Sequence, residues 1–339
     1  MLLVRLPPLG LSGRVRYSFL NERNERTFAH DARGRRVWGG HWNSNLITDA
    51  GLENAAAVRI VGDLVATQSW RTWLRVGTGS TEPAAANVAL VSQVAATDST
   101  GGFSAGSATY PDPSGGVITG LFPVTRVATL ASAANLNEYG FSDTETGNLN
   151  IRELFRDETD DPITISIAAG KKIRVDHTLT VSIPWGATSQ TLDIEEYDAA
   201  DELVTTHEIT VDALAVGAHR QNLFRAMQPF SAGGGVAGLH FTTKPSIDGA
   251  TTVAPTAFVS ASLDAYVPGS LERRNVGTFQ EASGNGAVSG YTFGVNTAFG
   301  ATGTDGTHGF RVSFTSPATF TKANTHTLAV AMIVSWARG

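Results

Sequence analysis

The chain has 339 residues, of which 42% are hydrophobic and 17% are charged, and its formal net charge is −6. This composition excludes a disordered chain, and the length is sufficient for two domains. The absence of cysteine excludes disulfides and thiolate metal ligands. We expect no membrane insertion, because the apolar runs are far shorter than the roughly 20 residues of a spanning helix. We also expect no signal peptide, because Arg5 and Pro7 interrupt the first apolar run.

The first 42 residues are basic, whereas the rest of the chain is acidic. They contain eight Arg and three acidic residues, a net charge of +5, so the total of −6 leaves −11 for the remainder. We predict a basic N-terminal arm or hairpin over residues 1–44, either solvated or docked on an acidic neighbouring subunit. Nucleic acid is the least favoured partner, because neither an aromatic stacking pattern nor a helix accompanies the arginines. The candidate inter-subunit contacts are Arg5, Arg14, Arg16, Arg23 and Arg26.

Most of the remaining segments predict β-strands. Stretches such as "GGVITGLFPVTRVATL" and "ELVTTHEITVDAL" are rich in Val, Ile, Thr and aromatic residues, and Gly, Pro, Asp or Ser separates them. Two short helices are expected, in "TDAGLENAAAV" with Thr48 or Asp49 as N-cap, and in "ALAVGAHRQNLFRAM". The sequence therefore predicts an all-β protein of the β-sandwich or jelly-roll type.

One phrase occurs twice in the chain. "HTLTVSIPW" begins at His177 and "HTLAVAMIVSW" begins at His326, and each follows a strand-like "R-x-x-F", at Arg152 and at Arg311. The histidines are 149 residues apart and the arginines 159, a difference that one loop insertion explains. We predict two tandem sandwich domains from a duplication, residues 45–186 and residues 187–339. Convergence among β-hairpins remains the alternative.

Several short motifs formally match catalytic or ligand-binding signatures. "GFSAG" around Ser104, "GGGVAG" at residues 233–238, and "DTETGNLNIREL" match a nucleophile elbow, a dinucleotide loop and a calcium loop, but each lacks the flanking elements or ligands of those sites. Turns are the better interpretation, although the acidic "RDETDD" could hold a cation loosely. We therefore assign no catalytic, cofactor-binding or metal-binding residue, and expect the eight scattered histidines, including His177, to be structural.

Three further patterns resemble a known group of proteins. "NLITDAGL", the turn "VGTGSTEP" and the glycine-rich strand with "R-x-x-F" resemble bacteriophage tail, baseplate and tail-fibre-associated structural proteins. The resemblance covers most of residues 45–185 and, more weakly, residues 270–338. In the turn we expect Gly77 and Gly79 to supply positive φ angles, and Pro83 to stop further sheet pairing.

This resemblance implies a non-enzymatic virion component of the tail, assembled in the host bacterial cytoplasm. The expected partners are other copies of the chain, as a trimer or hexamer, and other virion proteins. A duplicated domain would let a trimer contact a sixfold ring. Two alternatives remain: a capsid decoration protein, and a module that binds host-surface glycans through the glycine-rich loops, with Tyr291, Phe293 and Phe299 as candidate recognition residues.

Overall fold

The computed structural model describes residues 1–57, 70–184, 189–198, 200, 202–213, 224, 239–244, 257–260, 262–281, 286–288, 290–295, 307–316, 320–322, 325 and 327–339. The described chain is all-β, as predicted, with one α-helix, α1 (Asp49–Asn54). Its strands are β1 (Leu2–Arg5), β2 (Leu9–Leu20), β3 (Arg26–Thr27), β4 (Ala29–Asp31), β5 (Arg36–Val37), β6 (Asn43–Ser44), β7 (Leu46–Ile47), β8 (Trp73–Gly77), β9 (Gln93–Thr97), β10 (Val117–Thr129), β11 (Ala134–Leu136), β12 (Glu138–Ser142), β13 (Ile151–Leu154), β14 (Ile165–Ile167), β15 (Lys172–Pro184), β16 (Ser189–Tyr197), β17 (Leu203–Ala213), β18 (Leu239–Lys244), β19 (Ala257–Ser260), β20 (Ser262–Leu263), β21 (Glu272–Phe279), β22 (Gly286–Val288), β23 (Gly290–Val295), β24 (Thr307–Ser316), β25 (Phe320–Lys322) and β26 (Leu328–Arg338).

The helix α1 lies where the sequence predicts it. Its N-cap is Thr48, whose hydroxyl accepts a hydrogen bond from the Gly51 N–H at 2.9 Å, and Asp49 places a negative charge in the first turn. The second predicted helix lies outside the described residues, apart from Phe224. No helix among the described residues is both long enough and apolar enough to cross a membrane.

The described chain divides into two compact units. The first unit comprises Met1–Leu9, Tyr110–Gly120 and Ser182–Trp336, and the second comprises Gly10–Thr109, Leu121–Val181 and Ala337–Gly339. The predicted boundaries, 45–186 and 187–339, follow the chain continuously, whereas each unit takes its residues from three separate segments.

The second unit contains three groups of strands. One is a five-stranded sheet in the order β7-β13-β12-β8-β9, one is a four-stranded sheet in the order β11-β14-β4-β5, and the third places β10, β15 and β2 side by side. Aromatic side chains fill its core, where the ring centroid of Phe155 lies 5.3 Å from that of Tyr17 and 5.1 Å from that of Tyr139.

The first unit contains a long run of paired strands, β16-β17-β24-β23-β18-β19, and β1 joins it by pairing with β16. On its other side β1 pairs in parallel with β26, which pairs with β21. Both faces of these two strands are covered, because Leu2, Val4, Met332 and Trp336 are buried on one face and Leu3, Ala331 and Ile333 form a buried cluster on the other.

The strand order of the two units repeats. The two groups are β7-β13-β12-β8-β9 and β17-β24-β23-β18-β19. If the five strands of each group are numbered by their order in the chain, both groups have the spatial order 1-5-4-2-3, and every pairing is antiparallel. The register agrees at one point, since Arg152 faces Gly140 in a "Tyr-x-Phe" strand and Arg311 faces Thr292 in another.

The neighbouring strand pairs repeat as well. β11 pairs with β14 as β22 pairs with β25, and β10 lies beside β15 as β21 lies beside β26. Trp185 and His326, which belong to the repeated phrase, lie outside the described residues. The duplication itself therefore stays a prediction, with the strand order as its structural support.

Residues 2–20 do not form an arm detached from the protein. Leu2, Leu9, Val15 and Phe19 are buried, and β1 and β2 pair with strands of their own chain. Although the segment is basic, its residues alternate along β2, so that one face of the strand carries apolar residues and the other face carries the arginines. Removing residues 1–42 would therefore disrupt the core before it affected any contact between copies.

Candidate functional site

The "VGTGSTEP" turn is held by a buried carboxylate. Glu138 on β12 is fully buried and accepts hydrogen bonds from the backbone N–H groups of Gly79 at 3.0 Å, Ser92 at 3.0 Å and Val91 at 3.2 Å. The arrangement satisfies three backbone donors of a loop with one charged acceptor, which is a strong form of hydrogen bond. The turn is therefore tied to the centre of the five-stranded sheet.

Arg152 on β13 provides the counter-charge. Its guanidinium is 1% exposed and lies 2.9 Å from the Glu138 carboxylate. The same group donates to the Thr81 carbonyl at 2.8 Å and to the Asn87 side-chain oxygen at 2.6 Å. The arginine of "R-x-x-F" and the turn "VGTGSTEP" therefore form one buried structure, which we call the Glu138–Arg152 clamp.

The two glycines of the turn serve a different purpose from the one expected. Neither Gly77 nor Gly79 has a positive φ, so the prediction of left-handed backbone is wrong. A Cβ on Gly79 would lie 2.4 Å from a carboxylate oxygen of Glu138, and one on Gly77 would lie 2.5 Å from the Ser92 carbonyl oxygen. Glycine is required because the clamp and the next strand approach the backbone closely.

The "NLITDAGL" segment is also committed to packing. The Thr48 hydroxyl, which caps α1, donates to the Leu149 carbonyl oxygen at 2.5 Å. A Cβ on Gly51 would lie 2.2 Å from the Asn150 carbonyl oxygen, so only glycine allows this contact between α1 and the loop before β13. The motif thus anchors the helix to the same sheet as the clamp.

His177 is a buried structural residue with a defined tautomer. The Arg71 guanidinium, which can only donate, lies 2.8 Å from Nδ1, and the Asn45 side-chain oxygen lies 3.1 Å from Nε2. Nε2 therefore carries the proton of a neutral ring. Burial, followed by the charge of Arg71, holds the pKa of His177 well below its usual value. Burial, followed by the charge of Arg126, lowers the pKa of Arg71 to about 9.

The apparent serine and calcium signatures are turns. The Ser104 hydroxyl accepts from the Gly106 N–H at 3.2 Å in an exposed loop. In the "DTETGNL" loop, the Arg75 guanidinium donates to the carbonyl oxygens of Thr144 at 2.9 Å and Gly147 at 2.7 Å. A cationic side chain therefore lies where a calcium ion would need these two oxygens. The "GGGVAG" motif lies outside the described residues.

The acidic "RDETDD" segment closes on itself. The Asp157 carboxylate accepts from the Thr159 N–H at 2.9 Å and from the Asp161 N–H at 3.1 Å. The Thr159 hydroxyl also donates to it, and these hydrogen bonds lower the pKa of Asp157. Arg156 pairs with Glu153 at 3.0 Å and supplies a positive charge beside the turn. Among the described residues, no group of three His, Asp or Glu side chains is placed to hold a metal ion.

The predicted contact arginines lie in different settings. Arg5 on β1 pairs with Glu272 at 3.3 Å, and Arg16 on β2 pairs with Asp176 at 3.0 Å. The guanidinium carbons of Arg14 and Arg16 each lie 4.7 Å from the ring centroid of Trp42. Arg23 and Arg26 are exposed. Their role between subunits stays a prediction.

The predicted recognition residues are only partly described. Tyr291 and Phe293 lie in β23, a strand between β24 and β18, and not in a loop as the sequence suggested. Phe299 lies outside the described residues.

A groove in the second unit has a volume of about 670 Å³ and was not predicted. It lies against the four-stranded sheet β11-β14-β4-β5, and its lining includes Phe28, His30, Asn135, Ser166 and Lys171. Phe28, Ala29 and His30 belong to the predicted arm, so this segment builds part of the groove wall. A sequence signal did exist, because in "TFAHDARGRRVW" aromatic and basic residues occupy alternate positions on either side of a turn, at Phe28, His30, Arg36 and Trp38.

One row of polar side chains crosses the sheet beneath the groove. Asn135 faces Ser166, Ser166 faces His30, and His30 faces Arg36 in adjacent strands. Residues paired in this way point to the same face of a sheet. The Asn135 and Ser166 side chains are hydrogen bonded at 2.8 Å. The row brings an amide, a hydroxyl, an imidazole and a guanidinium onto one surface.

Comparison with known protein families, curated proteins and solved structures finds no match to this chain.

Proposed function

We propose that this chain is a non-catalytic structural component of a bacteriophage virion, placed in the tail, where it acts in assembly or as an adaptor between rings or fibres. The observation that carries the proposal is the repeated strand order, β7-β13-β12-β8-β9 and β17-β24-β23-β18-β19. A chain with two similar sheets offers two similar surfaces per copy, which suits contact between rings of different symmetry.

The residues of the phage-like motifs support this role. The clamp between Glu138 and Arg152 and the close contact of Gly51 with Asn150 use the motif residues for rigidity. Rigid loops on a sheet scaffold present a fixed surface to a partner, and this reduces the entropy lost on binding.

The edge of the five-stranded sheet is the candidate surface for contact between copies. β9 is the edge strand of that sheet. Val94 within the strand is 42% exposed, and Val91, two residues before the strand begins, is 61% exposed. Residues 83–97 contain no charged side chain. Because an uncharged edge strand is a template for pairing with another chain, we propose that β9 contributes to the homo-oligomer.

Light scattering on the purified chain tests the oligomer. We expect a mass three or six times 35.6 kDa, and we expect Val91→Lys combined with Val94→Lys to reduce it to that of a monomer. Val267→Lys is the matched control, because Val267 is 66% exposed in the first unit. A monomeric native chain, or a control variant that dissociates equally, would contradict the proposal.

A further inference from the structure

The groove floor is suited to an extended ligand with hydrogen-bonding groups. Within the lining, the row from Asn135 through Ser166 to His30 crosses three strands, which at strand spacing spans about 10 Å, and Arg36 continues the same row beyond the lining. Ala133 and Ala168, which also line the groove, carry only a methyl group, so a ligand ring can approach the sheet closely. A ligand in this place would meet both donors and acceptors at regular intervals.

Phe28 of the lining pairs with a second aromatic residue, Trp38, which lies just outside the lining. The ring centroids of Phe28 and Trp38 lie 5.3 Å apart, and Trp38 is 49% exposed. The guanidinium carbon of Arg36 lies 4.5 Å from the ring centroid of Phe28, which holds a positive charge beside the aromatic surface. Such a wall accepts the apolar face of a ring whose edge carries polar groups.

The lining is cationic on an acidic protein. His30, Lys171 and Lys172 line the groove, and none of its described lining residues is acidic, although the whole chain has a net charge of −6. Lys172 donates to the Glu22 carbonyl and to Asn24. The half-buried Lys171 ammonium has no hydrogen-bond or ion-pair partner within the described part of the chain. The groove therefore offers an unneutralised cation to an anionic ligand.

We propose that this groove binds an acidic oligosaccharide, an extended chain of sugar residues that carry carboxylates. Lys171 and His30 meet the carboxylates, the Asn135–Ser166 pair meets hydroxyl groups, and Trp38 with Phe28 packs against a sugar ring. Nucleic acid fits less well, because its affinity depends on many closely spaced phosphates and the chain is acidic overall. This binding role goes beyond the structural role and does not depend on it.

Calorimetric titration of the full chain tests the site. The probes are oligomers of galacturonate, of glucuronate alternating with N-acetylglucosamine, and of sialic acid, each compared with its methyl ester. We expect saturable binding of at least one acidic oligomer, and at least about fivefold weaker binding of its ester, since the ester removes only the charge. Absence of binding by all three at about 5 mM, or equal binding of acid and ester, would overturn the proposal.

Variants locate the binding. We expect Lys171→Gln to weaken it about three- to tenfold and Trp38→Ala at least about fivefold. The matched controls are Arg5→Gln, at an exposed cation outside the lining, and Trp42→Ala, at a partly exposed indole that packs on Arg14 and Arg16 and not on a lining residue, and we expect both to bind as the native chain does. Circular dichroism checks that each variant is folded. Loss in the controls but not in the groove variants would place the ligand elsewhere and refute the site. Tighter binding of oligo-dT, removed by the groove variants, would assign the groove to nucleic acid instead.

Discussion

Replacing Arg152 by methionine would leave the buried Glu138 carboxylate without its counter-charge. Arg152 is 1% exposed and Glu138 is 0% exposed, so water cannot substitute for the lost guanidinium. Breaking a buried ion pair by removing one partner costs about 3–5 kcal/mol. Because the free energy of unfolding of a domain is about 5–15 kcal/mol, this one substitution removes a large share of it. The expected result is a marked decrease in stability.

Urea unfolding followed by circular dichroism measures the cost, and hydrogen exchange shows where it acts. We expect the amides of Gly79 and Ser92, which donate to Glu138, to lose protection in the variant. Arg23→Met, at an exposed turn, is the control and should change the free energy of unfolding by no more than about 0.5 kcal/mol.

A double substitution separates the charge from the packing. When Glu138→Gln is combined with Arg152→Met, no unpaired charge remains buried. The double variant should therefore lose about 2 kcal/mol less unfolding free energy than the sum of the losses in the two single variants. A cost below about 1 kcal/mol for Arg152→Met, or strict additivity in the double variant, would refute the role of the clamp.

Two further predictions concern His177 and Gly51. The pKa of His177 in the folded protein is held well below that of an unfolded histidine, so the unfolded state binds a proton first as the pH falls. Below about pH 6.5, this residue should therefore lower the free energy of unfolding by up to about 1.4 kcal/mol per pH unit. Chemical denaturation between pH 7 and 5.5 should show a shallower slope for His177→Gln, and an unchanged slope would contradict the neutral buried ring. Gly51→Ala normally favours a helix by about 1 kcal/mol, but the contact with Asn150 should reverse the sign and cost about 1–3 kcal/mol, measured by urea unfolding. A stabilised Gly51→Ala variant would show that the contact can relax.

The elements that could be predicted are those with a strong local signal. The all-β class follows from alternating β-branched segments, and α1 follows from Thr48 and Asp49 at its start. The charge of residues 1–42 does not predict the burial of β2, which follows from the alternation of Leu9, Val15 and Phe19. A tally of charge does not show which face of a strand is buried.

The groove and the clamp depend on pairings between distant segments. Glu138 reaches Gly79 across 59 residues, and Ser166 faces His30 across 136 residues, so no local pattern indicates these contacts. The glycines of "VGTG" illustrate the same limit, because the atoms that require them belong to Glu138 and Ser92.

Quantitative mass spectrometry of gradient-purified phage particles, from a host strain that carries this gene, determines whether the chain is a virion component. We expect the chain to be present in the particles and, after tails are separated from capsids, to stay with the tails in a copy number divisible by three. Its absence from intact particles would contradict a virion role, and its recovery with capsids alone would contradict the placement in the tail.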